Sequence, residues 1–257
     1  MRNTRHAKRS SRVGATLALG VAALFSQAEA DAQGAPAMRQ APASETLSAR
    51  QQAIVPIAAF GAAGDMPRLG NALDQGLDAG LTVNEAKEVL VQLYAYAGFP
   101  RSLNALGELM KVVDARRQRG LQDAQGRPPG RAVPTGGALL AAGTANQTRL
   151  VGSPVKGALF EFAPAIDEYL KTHLFGDIFE RDNLDWPSRE VATLGMLSAL
   201  PGADSQLQSH MGISMNVGLT VAQLNQLTQV LADQVDAEPA RRARDALARQ
   251  MAARGTR

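Results

Sequence analysis

"LGNALDQGLDAGLTVNEAKEVL" (69–90) and "LQSHMGISMNVGLTVAQLNQL" (207–227) carry the same joint, Gly80-Leu81-Thr82-Val83 and Gly218-Leu219-Thr220-Val221, 138 residues apart. In the first stretch Leu69, Leu73 and Leu77 recur at helical spacing and Gly80 ends the run, as a left-handed C-terminal glycine does. Thr82 then caps a new helix, and Glu85, three residues on, completes a capping box. Val89, Leu90 and Leu93 line that helix. In the second stretch Leu207, Met211 and Met215 run into Gly218, and Thr220 caps a helix carrying Leu224, Leu227 and Leu231.

The correspondence extends outward. Ile54, Ile57, Ala58 and Phe60 mark a preceding helix that ends near Gly64-Asp65; Pro56 is expected in its first turns or at a kink. Its counterpart begins at Asp185, a good N-cap, with Pro187 in the first turn and Val191, Leu194 and Leu197 as its stripe. With one gap, Leu47, Ile54, Ile57 and Phe60 fall on Leu184, Val191, Leu194 and Leu197. A further helix is predicted from about Arg101 to Arg117. No segment alternates for long enough to build a sheet. The expected fold is all-α, two tandem copies of one helical-hairpin unit at 46–118 and 156–252, joined by a linker at 119–155. The Gly/Pro/Arg-rich stretch 116–137 reads as a solvated connection, or as a loop over a site in which Arg127 and Arg131 meet a carboxylate.

At the N-terminus, Arg2, Arg5, Lys8, Arg9 and Arg12 precede an uncharged, largely apolar run from Val13 to Phe25, followed by Ala28-Glu29-Ala30. This is the layout of a cleavable signal peptide, residues 1–30, cut after Ala30 or Ala32. The expected location is periplasmic or secreted, with no membrane anchor after signal removal. Residues 31–45 read as a flexible leader. The chain holds 27 basic and 24 acidic residues. Residues 1–30 take five basic and one acidic, leaving 22 against 23. The basic excess therefore belongs to the export signal and implies no nucleic-acid partner. Cysteine is absent, which excludes disulfides, thiol catalysis and Cys-ligated metal. Beyond the signal only His173 and His210 remain, too few for a multi-histidine zinc site in one chain. Neither a metal nor any other cofactor is expected.

"LDWPSREVATLGMLSAL" (184–200) followed by "QLQSHMGISMNVGLTVAQLNQL" (206–227) resembles the carboxymuconolactone decarboxylase family, whose helical fold is shared with alkylhydroperoxidase D-like proteins. "GLTVNEAKEVLVQLYAYAGFPRSLNAL" (80–106) is similar to the helix pair closing the same unit. The resemblance covers most of residues 46–250 and implies a proton relay between Glu190 and His210. Read from the residues alone, Glu190 is either a partner facing the core or a surface carboxylate favoured near a helix N-terminus. His210 is either its partner or a buried histidine bonded to a backbone carbonyl. The first copy has Ala72 in place of His210, and Ala53 in place of Glu190, or Gln52 if the gap is ignored. It keeps Tyr94, Tyr96, Phe99 and Arg101 where the second has Ala232, Gln234, Ala237 and Pro239. A composite site is expected, with Tyr94, Tyr96 or Arg101 holding an anionic substrate. Core aromatics and a solvated arginine are the alternative. The C-x-x-C pair of the alkylhydroperoxidase branch would fall on Ala203 and Gln206, so thiol peroxidase activity is excluded.

The resemblance implies a cofactor-free, decarboxylase-like lyase acting on a small carboxylated lactone or keto acid. The alternative from another class is a non-catalytic small-molecule binding or assembly protein. Broad apolar helical faces also point to a homo-oligomer. Counting from the loop near Pro201, Glu190 stands about 15 Å up its helix, at ~1.5 Å per residue, and His210 about half as far along the returning one. Only the crossing of the two helices can bring them together.

Overall fold

The computed structural model describes residues 45–255; the expected signal peptide and all but the last residue of the expected leader lie outside them. Helices α1 (Ala49–Ala63), α2 (Met66–Asp78), α3 (Val83–Gln92), the single turn α4 (Tyr94–Ala97) and α5 (Phe99–Gln118) come first. Helices α6 (Gly137–Val151), α7 (Ala158–Phe162) and α8 (Pro164–Tyr169) follow, and α8 runs on into a π-helical stretch, Leu170–Ile178. Helices α9 (Trp186–Ala199), α10 (Asp204–Asn216), α11 (Val221–Gln234) and α12 (Ala237–Gly255) complete the chain. The described residues contain no strand, and the fold is all-α.

Helices α1 and α9 pack against one another at the centre. Each is buried on nearly every side, α1 from Ile54 to Ala62 and α9 from Ser188 to Ser198, which is the burial of a helix surrounded by others. Gly195 sets how close they come: a Cβ there would stand 2.9 Å from the Val55 carbonyl oxygen and 3.0 Å from the Ala58 Cβ. Pro56 sits in the middle of α1 rather than in its first turn, and the helix continues through it. Its missing N–H costs one intrahelical bond, offset by the complete burial of Val55 and Ile57 beside it. Helices α2, α3 and α5 pack around α1, and α10, α11 and α12 around the α9 side. One apolar core runs through both groups. A second, smaller cluster joins Leu150 of α6, Leu174, Phe175 and Ile178 of the π-helical stretch, Phe179 and Ile213 of α10.

The two Gly-Leu-Thr-Val joints have the same local geometry. Gly80 and Gly218 adopt φ of 87° and 102°, a region open to glycine without the Cβ clash. Leu81 N–H donates to Gly76 O (2.9 Å) and Leu219 N–H to Ser214 O (3.0 Å), while the Gly80 and Gly218 amides donate to Leu77 O and Met215 O. These are paired Schellman closures. Thr82 and Glu85 then form the capping box the sequence predicts. Thr220 forms its own with Gln223.

The stretch expected to be a solvated connection, 116–137, carries no helix from 119 to 136 and is mostly exposed, but it is tied to the body at several points, and the wider linker 119–155 holds α6. Arg116 is buried and bonds Asp74, Asp78 and Asp123. Beyond it, the Val83 and Asn84 amides donate to Ala124 O (3.0 Å) and Gln125 O (2.9 Å). Arg127 donates to Asp182 (3.0 Å), and the Gly130 amide meets the same carboxylate at 2.7 Å. Arg131 reaches Glu180 (3.4 Å). Both arginines thus meet carboxylates of the chain itself. Residues 137–151 form α6, which packs against the π-helical stretch. No helix among the described residues is long and apolar enough to cross a membrane.

Candidate active site

Glu190 lies in α9 and is fully buried; His210 lies in α10 and is 8% exposed. The packing of α10 on α9 brings His210 Nδ1 to 2.8 Å from Glu190 Oε2. A hydrogen on Nδ1, donated to the carboxylate, fixes the tautomer and leaves Nε2 as the ring nitrogen free to act. Glu190 Oε1 and Ser214 Oγ, one turn along α10, are enclosed with no hydrogen-bond partner among the described residues.

His210 opens onto a cavity of ≈ 1210 Å³. Its walls are largely apolar, drawn from Leu197 of α9 and Leu200 just beyond it, Ile213 of α10, and Phe160, Leu170 and Phe175 of the α7–π-helical region. Ala203 and Gln206, where a thiol pair would have stood, line the same cavity. So does Arg254 of α12. Its Nη2 donates to Gly212 O (2.9 Å) and Asn216 Oδ1 (2.8 Å), both neutral acceptors, so these bonds leave its charge uncompensated.

Of the first-copy residues expected at the site, Tyr96 alone arrives. Its ring meets the His210 imidazole edge-on, centroids 5.9 Å apart at 75°, and it lines the cavity. Burial pushes its phenol well above the ordinary range, and the Glu190 charge adds to the shift. Tyr94, two residues earlier in the same turn, points about 200° away at ~100° per residue. It stacks on Phe99 at 4.7 Å, and burial, reinforced by the charge of Asp177, raises its phenol too. Arg101 begins a helix that Gly98, at φ 83°, turns aside. Its guanidinium rests near Gly64, at the C-terminus of α1. Neither Tyr94 nor Arg101 lines the cavity of the single chain.

A buried polar chain behind the site was not anticipated. Thr193 Oγ1 lies 3.1 Å from the Tyr96 hydroxyl and accepts from Gln92 Nε2 at 2.8 Å. Gln92 also bonds the Arg189 carbonyl (3.0 Å) and, through Oε1, the Arg189 guanidinium (3.4 Å). Arg189 is 0% exposed and donates to Glu88 at 3.1 Å, which Arg181 grips at 2.8 and 2.6 Å. Consecutive residues on a helix diverge by about 100°. Arg189 therefore reaches α3 while Glu190 reaches α10. The sequence signal for this chain was present but unused: Glu88, Arg189 and Thr193 interrupt stretches that are otherwise apolar on the buried face, and a buried charge requires a partner.

No protein-family model matches the chain, and no curated protein matches it in sequence.

Proposed function

We propose that this cavity is the active site of a cofactor-free acid–base enzyme resembling carboxymuconolactone decarboxylase, acting on a small carboxylated lactone or keto acid. The observation that carries the reading is the buried 2.8 Å contact between His210 Nδ1 and Glu190, with the second ring nitrogen left for the cavity. In the proposed reaction the carbon–carbon bond to the departing carboxylate breaks, and its electron pair moves into the neighbouring carbonyl as an enolate. The imidazolium delivers its Nε2 proton to the carbon, carbon dioxide leaves, and the neutral ring is reprotonated from water. Glu190 stabilises the imidazolium. Tyr96, kept neutral by its raised pKa, lends its ring to the cavity wall beside the imidazole, and its hydroxyl is tied to Thr193. Arg254 serves as the anchor, since it is the arginine among the described residues that lines the cavity, and its charge meets a second substrate carboxylate.

The same reading treats 46–118 and 156–252 as two copies of one unit, supported by the matching closures at Gly80 and Gly218, and the chain as exported after loss of residues 1–30.

A second reading is a binding protein without turnover. The cavity, at ≈ 1210 Å³, exceeds the ~300–1,000 Å³ usual for small-molecule sites, and its lining is apolar over most of its extent. Incubating the protein with a panel of carboxylactones and β-keto acids, while following carbon dioxide release and heat of binding, separates the two. Turnover that disappears in His210→Ala with binding retained supports the enzyme. Saturable binding with no turnover in the parent protein supports the binding protein. Neither signal across the panel rejects both.

A further inference from the structure

Helix α5 turns a row of large apolar side chains toward solvent. Phe99 and Leu103 are each 63% exposed and Met110 is 65% exposed. Leu106 and Val113, partly buried against the core, complete the row at successive spacings of four, three, four and three residues. That is the a/d alternation by which one helix packs along another.

Gly107 stands at the outward edge of this row, four residues after Leu103 and three before Met110, about 40° around the helix from the one and about 60° from the other at ~100° per residue. Glycine inside a helix is disfavoured relative to alanine, and α5 is the longest helix among the described residues. At Gly195 the cost has an evident return, because a side chain would strike α1. At Gly107 a Cβ would find no atom within 4 Å among the described residues. Nothing among the described residues requires the glycine. A bare backbone between two exposed large apolar residues is what a close helix crossing from outside requires.

We propose that α5 is a homodimer seam, with two copies of this chain packing α5 against α5 about a twofold axis passing close to Gly107. A twofold axis lays a patch on itself. Glycine then faces glycine at the closest approach, and Leu103 of each copy meets Met110 of the other. The charges flanking the row suit a second copy. Glu108 pairs with Lys111 (3.1 Å) and Asp114 with Arg117 (2.9 Å) within the helix, so the face presents no net charge to repel its like. The exposed parts of the five side chains sum to on the order of 400 Å² of contiguous apolar surface, the range in which patches on single chains mark contacts. Doubled, and extended into the groove of ≈ 540 Å³ that Val91, Leu106, Met110 and Val113 line beside α5, the contact reaches the ~1,200 Å² of the smaller specific interfaces. The seam is separate from the His210 cavity and does not depend on its chemistry.

The test is light scattering coupled to size exclusion on the purified protein across a dilution series, with circular dichroism verifying each variant's fold. The parent protein is expected to associate. Leu103→Glu should dissociate that contact, and Gly107→Leu should raise the dissociation constant by about 100-fold or more, since each copy adds a bulky group at the crossing. Both positions are surface sites in the single chain, so both variants should keep full helicity. Gly107→Ala should raise the melting temperature of the dilute single chain while weakening association, a pairing of effects that no internal role for Gly107 produces. A parent protein that stays a single chain throughout overturns the proposal, whether the face is covered by residues 1–44, by another protein or by nothing. So does an assembly of any size that survives both Leu103→Glu and Gly107→Leu.

Discussion

Replacing Glu88 by glutamine removes the one negative charge that two guanidinium groups share. Glu88 is 2% exposed and Arg189 is 0% exposed; Arg181, with a third of its side chain exposed, can turn to solvent. Desolvation by itself would push the Glu88 carboxyl up. The hydrogen bonds from Arg181 and the charge of Arg189 outweigh it and hold the group below the usual carboxylate range. Glutamine preserves the shape but not the charge, so Arg189 is left as a buried cation whose acceptors, the Arg181 carbonyl, Gln92 and the new amide oxygen, are all neutral. Breaking a buried pair from one side costs about 3–5 kcal/mol. For a domain of this size that corresponds to a melting temperature lower by roughly 6–20 °C, at about 2–4 °C per kcal/mol. Urea unfolding followed by circular dichroism measures it directly. The double variant Glu88→Leu with Arg189→Leu removes both charges and should recover stability to within about 2 kcal/mol of the parent, because an apolar pair of similar volume replaces the ions at little net cost. A single substitution costing less than about 1 kcal/mol would refute the argument, since the charges could not then be as desolvated as their burial implies. A double variant no better than the single would show that the hydrogen bonds, not the charge, carry the energy.

The same carboxylate sets an acid dependence. Its folded pKa lies below the ordinary 4.5, so its contribution is complete above that pH and is lost as the pH falls below it. Urea midpoints should hold steady on the neutral side and decline below about pH 4.5, with a shallower decline in Glu88→Gln; equal slopes in the two proteins would count against the assignment. If the chain is exported, mass spectrometry of protein from the native periplasm should find a start at Asp31 or Gln33, and an intact Met1 would reject the signal peptide.

The helices that could be read in advance were those whose ends are written locally. Gly80 with Thr82 and Glu85, Gly218 with Thr220, and Asp185 with Pro187 each satisfy their own backbone groups within a few residues. Such ends need no knowledge of what lies across the fold. Helix α6 escaped because neither of its ends carries a side-chain cap and its "GALLAAGTANQTRLV" is built from small residues. What makes it a helix in place is its packing against the π-helical stretch, Leu170–Ile178, well beyond the reach of its own local sequence.

The residue types for acid–base work were visible in the sequence, and the resemblance singled out Glu190 and His210. Their meeting was not, because it depends on how α10 crosses α9, and that angle is set by side chains from both helices and from α12. The choice between Tyr94 and Tyr96 has the same character. Periodicity requires that they face opposite ways, but only the packed position of α4 decides which one faces His210. That Arg254 lines the cavity and Arg101 does not has a similar reason. A guanidinium acts where its helix carries it, and α5 leads away from the cavity while α12, from the far end of the chain, returns to it. Local hydrogen bonding and apolar spacing determine which segments are helices, whereas a site assembled from α4, α9, α10 and α12 exists only once their faces have been buried against one another.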